Sequence, residues 1–139
     1  MKQTLCIISL FMFFGCTSKV SKEDIANLNG YWEIEKVTFA NGDTKDYGVN
    51  QTVDYIKLDG FKGFRKKMQP KFDGSFSTSN DAEPFIIQNA NGRFEFQYKN
   101  EMSEWKEEIK SISKDRFSVI NQDALTYTYR RYQTMSLKE

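Results

Sequence analysis

Apolar and polar side chains alternate strictly along residues 93–99. Phe94, Phe96 and Tyr98 hold one phase, and Arg93, Glu95, Gln97 and Lys99 hold the other. A period of two marks a strand with one buried and one wet face. Leu125, Tyr127 and Tyr129 against Thr126, Thr128 and Arg130 repeat the pattern, and Phe117 and Val119 open another such run. Residues 31–39 are strand-like too, but their apolar phase shifts between Ile34 and Val37, which predicts a bulge or sharp bend. Further strands are expected at 53–58, 61–68, 72–78 and 84–88. Residues 102–112 admit two readings. Met102, Trp105, Ile109 and Ile112 recur at helical spacing, whereas Trp105, Glu107, Ile109 and Ser111 share a face if the segment is extended. The tight turn at Ser113, Lys114 and Asp115 favours the strand.

Turn residues punctuate these runs. Asn41-Gly42 and Asn91-Gly92 are strong hairpin signals, and Asp59-Gly60 and Asp73-Gly74 add two more. Turns this short leave no room for crossover helices, which excludes a parallel sheet. The expectation is an all-β domain, an antiparallel up-and-down barrel or clam of eight to ten short strands. One short helix precedes it at 21–29. Ser21 caps it with Asp24 three residues on, Ile25 and Leu28 share a face, and Gly30 ends it.

The first 15 residues follow a different pattern. Met1-Lys2 gives a positive start, and residues 5–14 are apolar, the plan of a signal peptide and too short for a comfortable transmembrane helix. Removing 15 residues from 139 leaves 124, enough for one modest core. The expected division is a signal at 1–15, a tether at 16–20 and a barrel domain at 21–139.

Composition narrows the chemistry. Twelve Phe and seven Tyr suit strands. Lys2 is the only charge in the leader, so the mature chain carries 19 basic and 19 acidic side chains, unlike the basic footprint of a nucleic-acid binder. There is no histidine, which removes the commonest general base and metal ligand. Neither a phosphate-binding glycine loop, a nucleophile elbow nor a zinc motif is present. No cofactor, metal or catalytic residue is expected. Of the two cysteines, Cys6 lies in the leader and Cys16 directly after it.

Gly15-Cys16 resembles the lipobox of bacterial lipoproteins, with Phe13 and Phe14 standing where leucine and a small residue are usual. The resemblance implies cleavage before Cys16, acylation of that cysteine and attachment to a membrane. Residues 17–20 hold no acidic cluster like those of some surface-export signals, although Glu23 and Asp24 are close. This points to the envelope of a gram-negative bacterium, at the periplasmic face of the outer membrane. Gly30-Tyr31-Trp32, at the start of the first strand and after a short helix, fits the G-x-W motif of lipocalins. The mature chain as a whole resembles the lipocalin-like lipoproteins, and Gly63–Lys67 with Pro70 and Asp73-Gly74 adds to the likeness. In that family the tryptophan closes one end of the barrel beneath a basic residue from near the last strand. Here Arg130 or Arg131 is available, and Arg131 is in phase with the apolar side chains of its strand. The chain is shorter than full-size lipocalins and lacks their disulfide and outer helix, so a smaller barrel filled by its own side chains is an alternative to one with a cavity.

Three sets of residues are candidate sites. Tyr55, Phe64, Phe76, Phe94, Phe96, Tyr98, Trp105, Tyr127 and Tyr129, with Trp32, form either the lining of an apolar pocket or a plain core. Arg65, Lys66 and Lys67, in a basic run from Lys62 to Lys71, form either an anion patch or a guarded strand edge. Glu101, Glu104, Glu107 and Glu108 read as a wet strand face. The resulting expectation is a non-enzymatic envelope lipoprotein that binds a small hydrophobic or amphipathic ligand. The alternative is an interaction or structural lipoprotein with a filled barrel.

Overall fold

The computed structural model describes residues 19–134, so the signal at 1–15, Cys16 and the first tether residues lie outside the described part. A 310 turn, Glu23–Leu28, leads into nine strands: β1 Gly30–Thr38, β2 Thr44–Asp46, β3 Val53–Asp59, β4 Lys62–Pro70, β5 Phe76–Ala90, β6 Arg93–Lys99, β7 Glu104–Ile112, β8 Arg116–Ile120 and β9 Thr126–Arg131. All neighbouring pairs are antiparallel and the order from β3 to β9 is that of the chain.

Closure depends on β1. One edge pairs with β3 at Gly30–Trp32, in the register Trp32↔Asp54, and further along with the small strand β2. The opposite edge pairs with β9, from Trp32↔Arg131 to Thr38↔Thr126. The sheet is therefore a closed eight-stranded barrel with β2 attached outside the ring. Between the two partners of the first edge, the Asn50 side chain donates to the Ile34 carbonyl at 3.0 Å and the Tyr47 amide to the Glu35 carbonyl at 2.9 Å, so both carbonyls keep a partner in the gap.

Three irregularities shape the wall. The register of β1 shifts between Ile34 and Lys36, where the apolar phase slips in the sequence. On β5, Lys66↔Ala82 is followed by Met68↔Thr78, so Ser79, Asn80 and Asp81 bulge out of the ladder. The runs expected at 72–78 and 84–88 are thus one long bent strand, and Phe72 belongs to the turn before it, 91% exposed. On β7 a shift between Ile109 and Ser111 turns Ile112 toward the core, and Ser111 bonds Ser118 at 2.6 Å instead. Ser111 therefore leaves the face it was expected to share with Ile109, since burying Ile112 is worth more than burying a hydroxyl. Residues 104–112 are extended, not helical. The expected helix at 21–29 is a single 310 stretch, with Ser21 and Asp24 bonded reciprocally at its start.

The ends of the barrel differ. The 310 turn lies across the end formed by the β3–β4, β5–β6 and β7–β8 turns and inserts Ile25 and Leu28 into the core. The other end, the mouth, is ringed by the β1–β2, β4–β5, β6–β7 and β8–β9 connections. Gly63 has no room for a side chain, because a Cβ there would collide with the Lys57 carbonyl and sit 2.9 Å from the Phe85 ring.

Candidate functional site: a charged set inside the barrel

The closed end is held by one tryptophan and one arginine. Trp32 is fully buried, donates from Nε1 to the Leu28 carbonyl at 2.8 Å, and meets the Phe117 ring edge-on at 4.7 Å. The Arg131 guanidinium lies 3.8 Å from the Trp32 ring centre, a cation–π contact. It also donates to the carbonyls of Asn29 (2.6 Å), Asn27 (2.8 Å) and Lys114. One cation thus ties the 310 turn, the β7–β8 turn and β9 together. Gly30 makes the approach possible: its φ is +122°, and a Cβ there would lie 2.6 Å from Arg131 Nη1. Arg130, one residue earlier, faces outward and pairs with Glu33 at 2.7 Å.

Above this floor the interior is filled. Phe96, Phe117, Ile56 and Val119 are fully buried, with Phe85 packed edge-on against Phe96 at 4.9 Å and Phe117 stacked on Tyr129 at 4.7 Å. Phe94, Phe96, Tyr98 and Tyr129 belong to this core, and Trp105 and Tyr127 pack against its edge toward the mouth. Tyr55, Phe64 and Phe76 do not line the interior. Tyr55 alternates with the buried Asp54 and Ile56 and so faces outward, where it meets Tyr31 (4.7 Å) and Phe64 (6.1 Å), and Phe76 stacks on Tyr31 at 4.5 Å. They form an aromatic cluster on the outer wall.

The basic run is divided by the pleat. Arg65 pairs with Ile56 across the ladder and points inward; Lys66 pairs with Tyr55 and points outward. No three-residue patch results, because Arg65 and Lys67 both converge on Asp54, which is only 3% exposed. Arg65 Nη2 lies 2.8 Å from Oδ2, and Lys67 Nζ reaches Oδ1 at 2.6 Å from the rim. Arg65 also donates to the Tyr98 hydroxyl at 3.3 Å, lies 3.9 Å from Glu107 and sits 4.8 Å over the Tyr129 ring. Glu107 therefore belongs to the interior set and not to the wet face expected of its acidic neighbours. Trp105 stacks on Tyr98 at 5.1 Å beside this set.

Burial and charge compete at every member. Burial pushes the Asp54 carboxyl up, but Arg65 and Lys67 outweigh it and hold the group below its ordinary value. Burial alone would lower Arg65, but the Asp54 carboxylate beside it reverses this and keeps the guanidinium charged. Glu107 is raised by burial, with Arg65 only partly offsetting it. The hydroxyls of Tyr98 and Tyr129 are raised for the same first reason. A cleft of about 290 Å³ opens onto Asp54, Arg65 and Lys67, bounded on its far side by Ser79, Asp81 and Glu83 of the bulged strand. Asp54 was not anticipated, although an acid in phase with Ile56 and Leu58 was the available signal.

No family model matches the chain, and no curated protein matches it. Two solved structures are similar. A lipocalin-like protein from Bacteroides uniformis is 9% identical, with a TM-score of 0.48 over 76% of this chain and 99% of that one. Apocrustacyanin C2 is 10% identical, with a TM-score of 0.45 over 86% of this chain and 74% of that one.

Proposed function

We propose that this protein is an envelope lipoprotein, anchored by lipid on Cys16 to the periplasmic face of a gram-negative outer membrane, whose barrel binds a small amphipathic molecule at its mouth. The role is binding and not catalysis. The observation that carries the reading is the inward ion pair of Arg65 and Asp54, with Glu107 and Tyr98 beside it. A buried pair contributes little to stability compared with apolar side chains of the same volume. Small-molecule pockets set a few such polar groups against aromatic surface to orient a ligand. The cleft at Asp54, Arg65 and Lys67 offers the polar contacts, and the Tyr98–Trp105 stack offers the apolar ones. A second reading, a structural lipoprotein with a filled barrel, draws on the full burial of Trp32, Phe96 and Phe117.

The test is native mass spectrometry of the lipidated protein purified in mild detergent from its own host. The binding reading expects an additional small-molecule mass in the parent. That mass should be absent from a double variant, Arg65→Met with Asp54→Leu, that still folds. A parent with no bound molecule, and with Trp105 fluorescence indifferent to titrated fatty acids and lysophospholipids, would favour the filled barrel. Cys16→Ser tests the anchor separately: the variant should lose acyl labelling and leave the membrane fraction, and retention of both would overturn the anchor.

A further inference from the structure

The two ends of the barrel differ in charge as well as in closure. Lys19, Lys22, Lys57, Lys62, Arg93 and Lys114 are all exposed around the closed end, among four acids, Glu23, Asp24, Asp59 and Asp115. The mouth reverses the balance: Asp43, Asp46, Asp73, Glu101, Glu104 and Asp123 are exposed around it, among Lys45, Lys67, Lys71 and Lys99. The chain also enters at the closed end. Val20 packs against the core, and the Lys19 ammonium lies against Gly92 in the β5–β6 turn. Three residue steps separate Lys19 from Cys16, a reach of about 11 Å even when fully extended.

From these two observations we infer that the closed end is a membrane-facing surface, seated on anionic lipid headgroups, and that the mouth points away from the bilayer holding the protein. The inference rests on the anchor reading above. The short reach keeps the end nearest Lys19 close to the lipid, and the charge asymmetry selects that end for contact. Basic side chains within a Debye length of an anionic leaflet are attracted, and the acids of the mouth are repelled. The occupant of the basic face is the bilayer itself. The consequence for the binding reading is directional: the ligand reaches the barrel from the aqueous space or from a partner facing it, and does not slide in from the host leaflet.

The experiment uses the full lipidated chain with one reporter at each end. Asp59→Cys places a fluorophore on the β3–β4 turn and Met102→Cys places one on the β6–β7 turn; both positions are exposed, and acylation leaves Cys16 unreactive. The proteins are inserted in phosphatidylcholine vesicles, with and without phosphatidylglycerol, that carry a spin-labelled headgroup. The two turns are roughly 20 Å apart along the barrel, given about 3.3 Å per residue and the strand tilt, which is beyond the range of contact quenching. The position 59 label should be quenched several-fold more than the position 102 label. The difference should shrink without phosphatidylglycerol, at high salt, and when Lys22, Lys57, Lys62 and Lys114 are changed to Gln. Equal quenching at both ends, or stronger quenching at position 102, overturns the orientation. The intact mass reports acylation independently. A chain without acyl mass would remove the anchor and the orientation together, whereas an acylated chain quenched equally at both ends would remove the orientation alone.

Discussion

Arg65→Met removes the guanidinium from the barrel interior and keeps much of its volume. Asp54 is then left with Lys67 alone, and Glu107 and the Tyr98 hydroxyl lose their cationic neighbour. Removing one partner of a buried pair costs about 3–5 kcal/mol. Lys67 still lies 2.6 Å from Asp54 and compensates it in part, which sets the cost at the lower end of that range, about 3 kcal/mol; being 69% solvent-exposed, it does not remove the cost. For a domain of this size, that lowers the midpoint of thermal unfolding by roughly 10 °C. The double variant, Arg65→Met with Asp54→Leu, removes both charges and should recover the loss, ending between neutral and about 4 kcal/mol more stable than the parent. Urea unfolding followed by tryptophan fluorescence measures both, and the double-mutant cycle gives the coupling directly. Two results refute the reasoning. One is a single variant within about 0.5 kcal/mol of the parent, the range of an ordinary surface change. The other is a double variant less stable than the single one, which would mean that Asp54 holds the fold through something other than its cations.

Trp32→Ala should cost about 3–5 kcal/mol, as large core truncations do, and a loss near zero in the same urea experiment would show that the closed end does not depend on this ring. Gly30→Ala places a Cβ at positive φ against Arg131, so a loss of about 1–3 kcal/mol is expected; wild-type stability would mean that Arg131 is free to move aside. Glu107 is raised above its ordinary value of 4.5, so the stability it contributes is whole below that pH and falls as pH rises through the raised value. Glu107→Gln should therefore gain on the parent in thermal melts as pH rises above 4.5, and a constant difference above that pH would contradict the burial of the carboxyl.

Much of the barrel was legible because period-two patterning reports directly on strands. The alternation at 93–99 is β6, and the phase slip after Ile34 is the β1 irregularity. The pattern says which residues share a face but not which face is inside, and for that reason it does not separate Tyr55, Phe64 and Phe76 from the interior aromatics. Residue type alone assigns a charged side chain to the wet face, whatever its phase. Glu107 lies in step with Trp105 and Ile109, and Asp54 with Ile56, yet only the three-dimensional convergence on Arg65 reveals them as a set. The bend in β5 was hidden by its own chemistry: Ser79, Asn80 and Asp81 look like a loop between two strands and are a bulge within one.

The β1–β9 seam also sets the order in which the molecule can assemble. From β3 onward each strand pairs with its neighbour in sequence, so a growing hairpin array can form by local contacts, which close quickly. The seam joins segments far apart, as in Arg130 with Glu33, 97 residues away, and Arg131 with the Asn27 carbonyl, 104 residues away. Until β9 arrives, β1 and β8 are open edges able to pair with other chains. The Trp32 pocket likewise lacks its guanidinium lid. The slow and aggregation-prone stage of folding is therefore the last one, so losing β9 should leave a sticky open sheet instead of a smaller barrel.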